Sequence, residues 1–193
     1  MSCFHPMLAV STGLNSNGKR DIKFVAGPTE WESFPPNARL KIPCGRCVGC
    51  RLERSRQWAN RCMLELQYHE SSYFVTLTYD DEHVPVTYYS ENVDGEARSG
   101  LTLRSRDFQL FMKRLRKEHS YERLRFFACG EYGSTTYRPH YHAIIFGLTL
   151  DDLRPYKRSP QNYDYFISDS LTECWGLGYV VVCLLYTSDA ADE

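Results

Sequence analysis

The sequence predicts an α+β fold: a central antiparallel sheet flanked by helices, with a cysteine-rich appendage toward the N-terminus. Three observations carry this. The strands read from the chain are interrupted by two amphipathic helical stretches. Two of the strands, Arg125–Gly133 and Arg138–Gly147, are separated by a loop short enough for a hairpin. Three cysteines at C-x-x-C-x-x-C spacing stand just ahead of the first helix.

Taken in order, residues 1–43 read as irregular, with turn signals at Asn15-Ser16-Asn17-Gly18 and Pro35-Pro36 and one short strand at Asp21–Val25. From Arg51 to Glu70 the spacing of Leu52, Ala59, Cys62, Met63 and Leu66 is helical. Tyr73–Tyr79 is β-branched and aromatic and reads as a central strand. Residues 80–100 read as a polar loop. Ser105–His119 is a helix with Phe108, Phe111, Met112 and Leu115 on one face and basic residues on the other, with Ser105 as its N-cap. The hairpin follows, then a short helix at Ser168–Cys174 and a last strand at Gly178–Leu185. This divides the chain into an N-terminal segment of residues 1–70, a core of residues 71–183 and a tail of residues 184–193.

A chain of 193 residues suits one domain with a small appendage. A formal net charge of −1 excludes a global field that draws nucleic acid. The charges are nonetheless segregated. Arg46, Arg51, Arg54, Arg56 and Arg61 crowd one stretch, and Arg104, Arg106, Lys113, Arg114, Arg116 and Lys117 another. Acidic residues gather at Asp80-Asp81-Glu82 and Asp151-Asp152. Such segregation leaves basic surface for an anionic partner, or else two solvated helix faces. Candidate DNA contacts are Arg104, Lys113, Arg114, Arg116, Lys117 and Arg138, with Tyr132, Tyr137 and Tyr141 as candidates to stack on bases. No targeting segment and no run long enough to span a bilayer is visible, so a soluble intracellular protein with no membrane partner is expected.

The segment Arg138-Pro139-His140-Tyr141-His142 carries the sharpest chemistry. Residues i and i+2 of a strand project from one face, so His140 and His142 aim at one point. If the hairpin forms, Glu131 joins them. Two imidazoles and a carboxylate with open positions suit a catalytic divalent ion. The same donor set describes a non-haem iron oxygenase, against which the segregated arginines argue. A second metal candidate is Cys44-Gly45-Arg46-Cys47-Val48-Gly49-Cys50. In a reducing compartment a close thiol cluster favours metal over disulfides. A structural zinc held by Cys44, Cys47, Cys50 and Cys62 is expected, with Cys3 or His5 as alternatives to Cys62 and an iron–sulfur cluster as the alternative occupant.

These pieces resemble a known family. Pro43–Arg51, Ser55-Arg56-Gln57-Trp58-Ala59, Phe74–Tyr79, Phe111–Arg116, Gly130-Glu131-Tyr132-Gly133 and Arg138–His142, in that order, resemble the replication initiators of gokushovirus-type microviruses, which are similar to the wider HUH family of rolling-circle endonucleases. The resemblance implies a ferredoxin-like antiparallel core, with Phe74–Tyr79 beside the active site. It implies Glu131, His140 and His142 as ligands of a Mg2+ or Mn2+ ion. It implies nicking and rejoining of single-stranded DNA at a phage origin through a tyrosine that stays linked to the 5′ end. The free 3′ hydroxyl would pass to host replication machinery in the cytoplasm of the bacterial host cell.

The chain departs from that pattern at one place. The family's nucleophilic tyrosine is expected on a helix after Gly178–Val182, in a Tyr-x-x-x-Tyr segment. Here Cys183–Glu193 follows instead, with Tyr186 alone. The sequence therefore predicts a C-terminally truncated chain with an artefactual tail, a missing nucleophile and little covalent nicking. Tyr163, Tyr165 and Tyr179 lack the helical context. The competing expectation is a non-catalytic, zinc-dependent nucleic-acid-binding module.

Overall fold

A computed structural model describes residues 3–90, 97–159 and 162–185. The chain divides into two compact units, residues 1–61 and 62–193, and the division falls inside a helix.

The first unit is more ordered than its sequence suggests. Strands β1 (Met7–Leu14), β2 (Arg20–Phe24) and β3 (Arg39–Ile42) form an antiparallel sheet in the order β2-β1-β3, with a short helix α1 (Pro28–Glu32) between β2 and β3. The expected single strand at Asp21–Val25 is thus one of three. The other two were hidden because so little of them is buried: in β1 only Ala9 and Val10 are. A long-range contact secures them. The Trp31 indole N–H is shared between the carbonyls of Ala9 (3.0 Å) and Leu40 (3.2 Å), and Arg39 and Lys41 lie over its ring. Helix α2 (Val48–Leu66) begins earlier than its apolar spacing implies.

The second unit continues with β4 (Ser72–Tyr79), β5 (Val86–Ser90), β6 (Ala97–Leu101), α3 (Ser105–Glu118), β7 (Arg125–Tyr132), β8 (Pro139–Phe146), β9 (Arg154–Arg158), β10 (Asp164–Ile167), α4 (Asp169–Trp175) and β11 (Gly178–Leu184). Six of these strands form one antiparallel sheet in the order β7-β8-β4-β11-β10-β9. This is the α+β class with a central antiparallel sheet that the sequence predicts.

Burial alternates strictly along the central strands. Val75, Leu77 and Tyr79 of β4, Tyr141, Ala143 and Ile145 of β8, and Val180 and Val182 of β11 share one face. Against it pack Phe108, Phe111, Met112 and Leu115 of α3 and Leu171, Cys174 and Trp175 of α4. Phe111 and Trp175 are fully buried; removing such side chains from water is worth about 1.5–3 kcal/mol each. The opposite face carries Phe74, Thr76 and Thr78, only partly buried. At one end of that face Cys62 and Leu66 pack on Phe146.

Residues 80–100 are not a plain loop, since β5 and β6 pair as a two-stranded ribbon; residues 91–96 between them lie outside the described residues. Strands β9 and β10 were also unexpected. All of β9 is exposed and it contains Pro155, which only an edge strand accommodates. Ser105 is not the cap of α3. Arg104 holds the capping position in an extended conformation without a side-chain cap, and Ser105 has already entered the helix. Ser168, by contrast, caps α4, its hydroxyl accepting the Leu171 N–H at 3.1 Å. Among the described residues no helix is long and apolar enough to cross a membrane.

Candidate metal centre

Strand β8 buries Pro139, Tyr141, Ala143 and Ile145 and turns His140 and His142 to the helix-poor face. The β7–β8 hairpin sets Glu131 directly opposite His140 and Cys129 opposite His142. One donor atom from each of Glu131, His140 and His142 lies within 4.8 Å of the other two. Glu131 Oε2 is 3.5 Å from His142 Nε2, and the two rings are 4.8 Å apart and nearly perpendicular.

The tautomers follow from the hydrogen bonds. His140 Nδ1 lies 3.0 Å from the Arg138 carbonyl, which only accepts, so Nδ1 carries the proton and Nε2 keeps its lone pair. His142 Nδ1 lies 3.0 Å from Thr76 Oγ1, and its ring stacks on Phe74 at 5.3 Å. Burial and the neighbouring His140 hold the His142 imidazole below its ordinary range, against an upward pull from Glu131. A neutral imidazole is the form that binds metal. The site can therefore hold a divalent ion from one side and leave the other open.

Sequence reasoning missed the neighbours supplied by other strands. Thr78 lies opposite His140 and Thr76 opposite His142 on β4, and on β11 Tyr179 and Val181 continue the same two rows. Thr76 and Phe74 were legible as strand residues, but their partners depend on which strand sits beside which. Burial and the Glu131 charge push the Cys129 thiol up, so it stays protonated beside the site.

The basic candidates are not gathered here. Helix α3, with Lys113, Arg114, Arg116 and Lys117, covers the opposite face of the sheet. Arg114 donates to the carbonyls of Cys174 (2.6 Å) and Trp175 (2.8 Å), closing the end of α4. Arg116 donates to the Leu124 carbonyl and lies over the Phe126 ring. Arg138 donates to the Tyr79 carbonyl at 2.7 Å and pairs with Asp81. Lys113, Lys117 and Arg104 are exposed. Tyr141 is buried among Tyr79, Phe108 and Trp175 and offers no ring to a base. Tyr132 and Tyr137 are exposed, the Tyr132 hydroxyl accepting the Leu103 N–H. Tyr186 lies outside the described residues.

In the first unit, Cys3, Cys44, Cys47 and Cys50 bring their sulfurs within 4.8 Å of one another, an arrangement able to hold a metal such as zinc. Cys3, and not Cys62 or His5, is the fourth member. Cys50 and Cys62 stand on one continuous helix, where twelve residues span about 18 Å. Cys62 instead packs with Leu66 and Phe146, and burial pushes its thiol up. Within the four, backbone N–H groups pull Cys44 and Cys47 down, Cys47 to about 6, while burial pushes Cys50 up.

Comparison with known proteins agrees with this geometry. The family model for the replication-associated protein ORF2 family matches residues 72–190, which takes in the six-stranded sheet and the Glu131–His140–His142 site. The chain is 34% identical over 142 residues to the replication-associated protein ORF2 of Spiroplasma virus 4, covering 72% of this chain and 42% of that relative. It is 30% identical over 187 residues to the replication-associated protein VP4 of Bdellovibrio phage phiMH2K, covering 93% and 52%. It is 31% identical over 157 residues to the replication-associated protein ORF4 of Chlamydia phage 1, covering 78% and 34%. The chain thus spans about half or less of the length of these relatives. No solved structure matches. A family match over more than half the chain, joined to three relatives that share its motifs along most of its length, establishes that this protein belongs to the replication-associated protein ORF2 family.

Proposed function

We propose that residues 62–193 form the metal-binding core of a rolling-circle replication initiator, an endonuclease that nicks and rejoins single-stranded DNA at a phage origin in the host cell. The observation that carries this reading is the convergence of Glu131, His140 and His142 on the face of the sheet away from α3 and α4. Bound there, Mg2+ or Mn2+ would supply positive charge to the non-bridging oxygens of a scissile phosphate; two imidazoles favour manganese. The protein's own residues prepare the site. Arg138 fixes the His140 tautomer through its carbonyl, Thr76 and Phe74 hold the His142 ring, and Glu131 offsets cation charge.

In the transesterification, a tyrosine oxygen bonds to phosphorus and the P–O3′ bond breaks. The tyrosine proton leaves with a base or solvent, and the 3′ oxygen departs as a hydroxyl. We assign that tyrosine to a segment following β11 rather than to the described core. The relatives' names, replication-associated proteins, support the role without specifying its chemistry.

The test is manganese binding followed by electron paramagnetic resonance, combined with a denaturing gel of a labelled single-stranded origin DNA. One Mn2+ per chain is expected, lost in His140→Ala and Glu131→Gln, with almost no protein-linked DNA. Manganese binding that survives His140→Ala would overturn the site. A protein-linked product abolished by Tyr186→Phe would overturn the assignment of the nucleophile.

A further inference from the structure

The charge of this chain is divided between its two units. Residues 1–61 hold ten Lys and Arg against four Asp and Glu, a formal +6; residues 62–193 hold thirteen against twenty, a formal −7. The unit with the endonuclease-like site therefore repels a polyanion overall, and two of the cations on its basic helix are spent on internal carbonyls. Attraction for nucleic acid resides in the unit that holds the four cysteines.

The cysteine cluster has the dimensions of a single-ion site. Cys3 and Cys47 sulfurs are 3.9 Å apart and none of the four cysteines is in a disulfide. Zn–S bonds of about 2.3 Å in a tetrahedron set sulfur pairs about 3.8 Å apart. A four-iron cluster, with one thiolate per iron corner, would hold its sulfurs farther apart. Backbone N–H groups already point at the sulfurs: Cys44 N–H at Cys3 (3.3 Å), Phe4 N–H at Cys47 (3.4 Å) and Cys47 N–H at Cys44 (3.4 Å). Such bonds stabilise thiolates and orient them toward a cation. Gly45 turns the chain between the first two loop cysteines with φ +74°, a conformation costly for other residues.

The ion would join the N-terminal segment, the loop and the first turn of α2, since Cys50 lies on that turn. From this turn runs a stripe at helical spacing: Arg51, Arg54, Trp58 and Arg61, all exposed. Arg61 lies over the Trp58 ring at 4.9 Å. Arg56 is paired with Glu53, but among the described residues Arg46, Arg51 and Arg54 form no ion pair. Guanidinium groups interleaved with an exposed indole suit a single strand, with phosphates on the arginines and a base on the tryptophan.

We propose that Cys3, Cys44, Cys47 and Cys50 hold one structural zinc ion, and that the unit it closes grips single-stranded DNA along the Arg51–Arg54–Trp58–Arg61 stripe. This surface shares no residue with the Glu131–His140–His142 site and does not depend on nicking.

Elemental analysis of the full chain, purified without chelator, and fluorescence anisotropy with a labelled mixed-sequence single-stranded oligonucleotide test both halves. One zinc per chain is expected, lost in Cys3→Ser and retained in Cys62→Ser. The double variant Arg51→Ala/Arg54→Ala should keep its zinc, which shows that the unit is folded. It should bind DNA at least about 10-fold more weakly, with a salt slope shallower by about 1.4, from about 0.7 per lost single-strand phosphate contact. Trp58→Ala should weaken binding about 10-fold with little change in that slope. Binding in His140→Ala should equal the parent's, which separates this grip from the nicking site. Iron in place of zinc, zinc retained in Cys3→Ser, or parental DNA affinity in the double arginine variant would each overturn the proposal.

Discussion

The Thr76 hydroxyl lies 3.0 Å from Nδ1 of His142, across 66 residues of sequence, because β4 and β8 pair with these two residues in direct register. The contact holds one ring nitrogen of a metal-binding histidine so that the other faces Glu131. Second partners of this kind typically govern metal affinity by 10–100-fold.

Thr76→Val should therefore lower Mn2+ affinity about 10-fold while leaving the fold intact, since valine keeps the shape of threonine on the strand. Thr76→Ser should restore most of the loss. Isothermal titration with Mn2+ checks this, and equal affinities in parent and Thr76→Val would count against the contact.

The stability of the metal-free protein should fall with acidity. Burial and His140 hold the His142 imidazole below its ordinary value of 6.5. The unfolded chain then takes up the proton first, so unfolding becomes easier as pH drops below about 6.5 and the penalty is complete below the folded value. Denaturant titrations between pH 7.5 and 5 should show this slope, and His142→Gln should reduce it.

Helix α4 depends on a buried serine and its carboxylate. Ser168 is fully buried, donates to Asp152 at 2.8 Å and caps the helix, while Asp152 also accepts the Ser170 N–H at 2.8 Å. Burial pushes Asp152 up, but these bonds outweigh it and hold the carboxyl below the usual range. Its contribution is present above the ordinary carboxylate pKa and is lost as pH falls through the lowered value. Ser168→Ala should cost about 1 kcal/mol and Asp152→Ala about 1.5–3 kcal/mol, measured by chemical denaturation at neutral pH.

Gly178 opens β11 with φ +144°, and a Cβ there would stand 2.3 Å from the Thr78 carbonyl and 2.4 Å from the Asp80 nitrogen. Both contacts are backbone and cannot swing aside. Gly178→Ala should cost about 2–3 kcal/mol through strain at the β4–β11 pairing. A melting temperature unchanged from the parent would contradict this register.

Two adjacent cations of α3 should behave differently. Arg114→Ala removes donors to the last carbonyls of α4 and should destabilise by about 1.5 kcal/mol, whereas exposed Lys113→Ala should change stability by under about 0.5 kcal/mol. Thermal unfolding of the two variants compares them directly.

Much of the site was readable from local pattern. The period of two in β8 alone puts His140 and His142 on one face, and the short loop of the hairpin brings Glu131 to them. The amphipathic stripe of α3 was equally plain. Strands β1, β3 and β9 were not, because they bury few or none of their residues and depend on neighbours for their hydrogen bonds. The direction of the basic residues was misread for a related reason. A helix pattern shows which side is apolar, yet not which sheet face that side will cover.

What the linear chain settled by itself was chemistry within a few residues: three thiols in one loop, two imidazoles on one strand, a carboxylate one hairpin away. The folded protein decided everything that joins distant segments, including Cys3 meeting Cys44 across 41 residues and Thr76 meeting His142. The physical reason is that backbone geometry determines nearby spacing, whereas encounters between remote segments are selected by the burial and hydrogen bonding of the whole sheet.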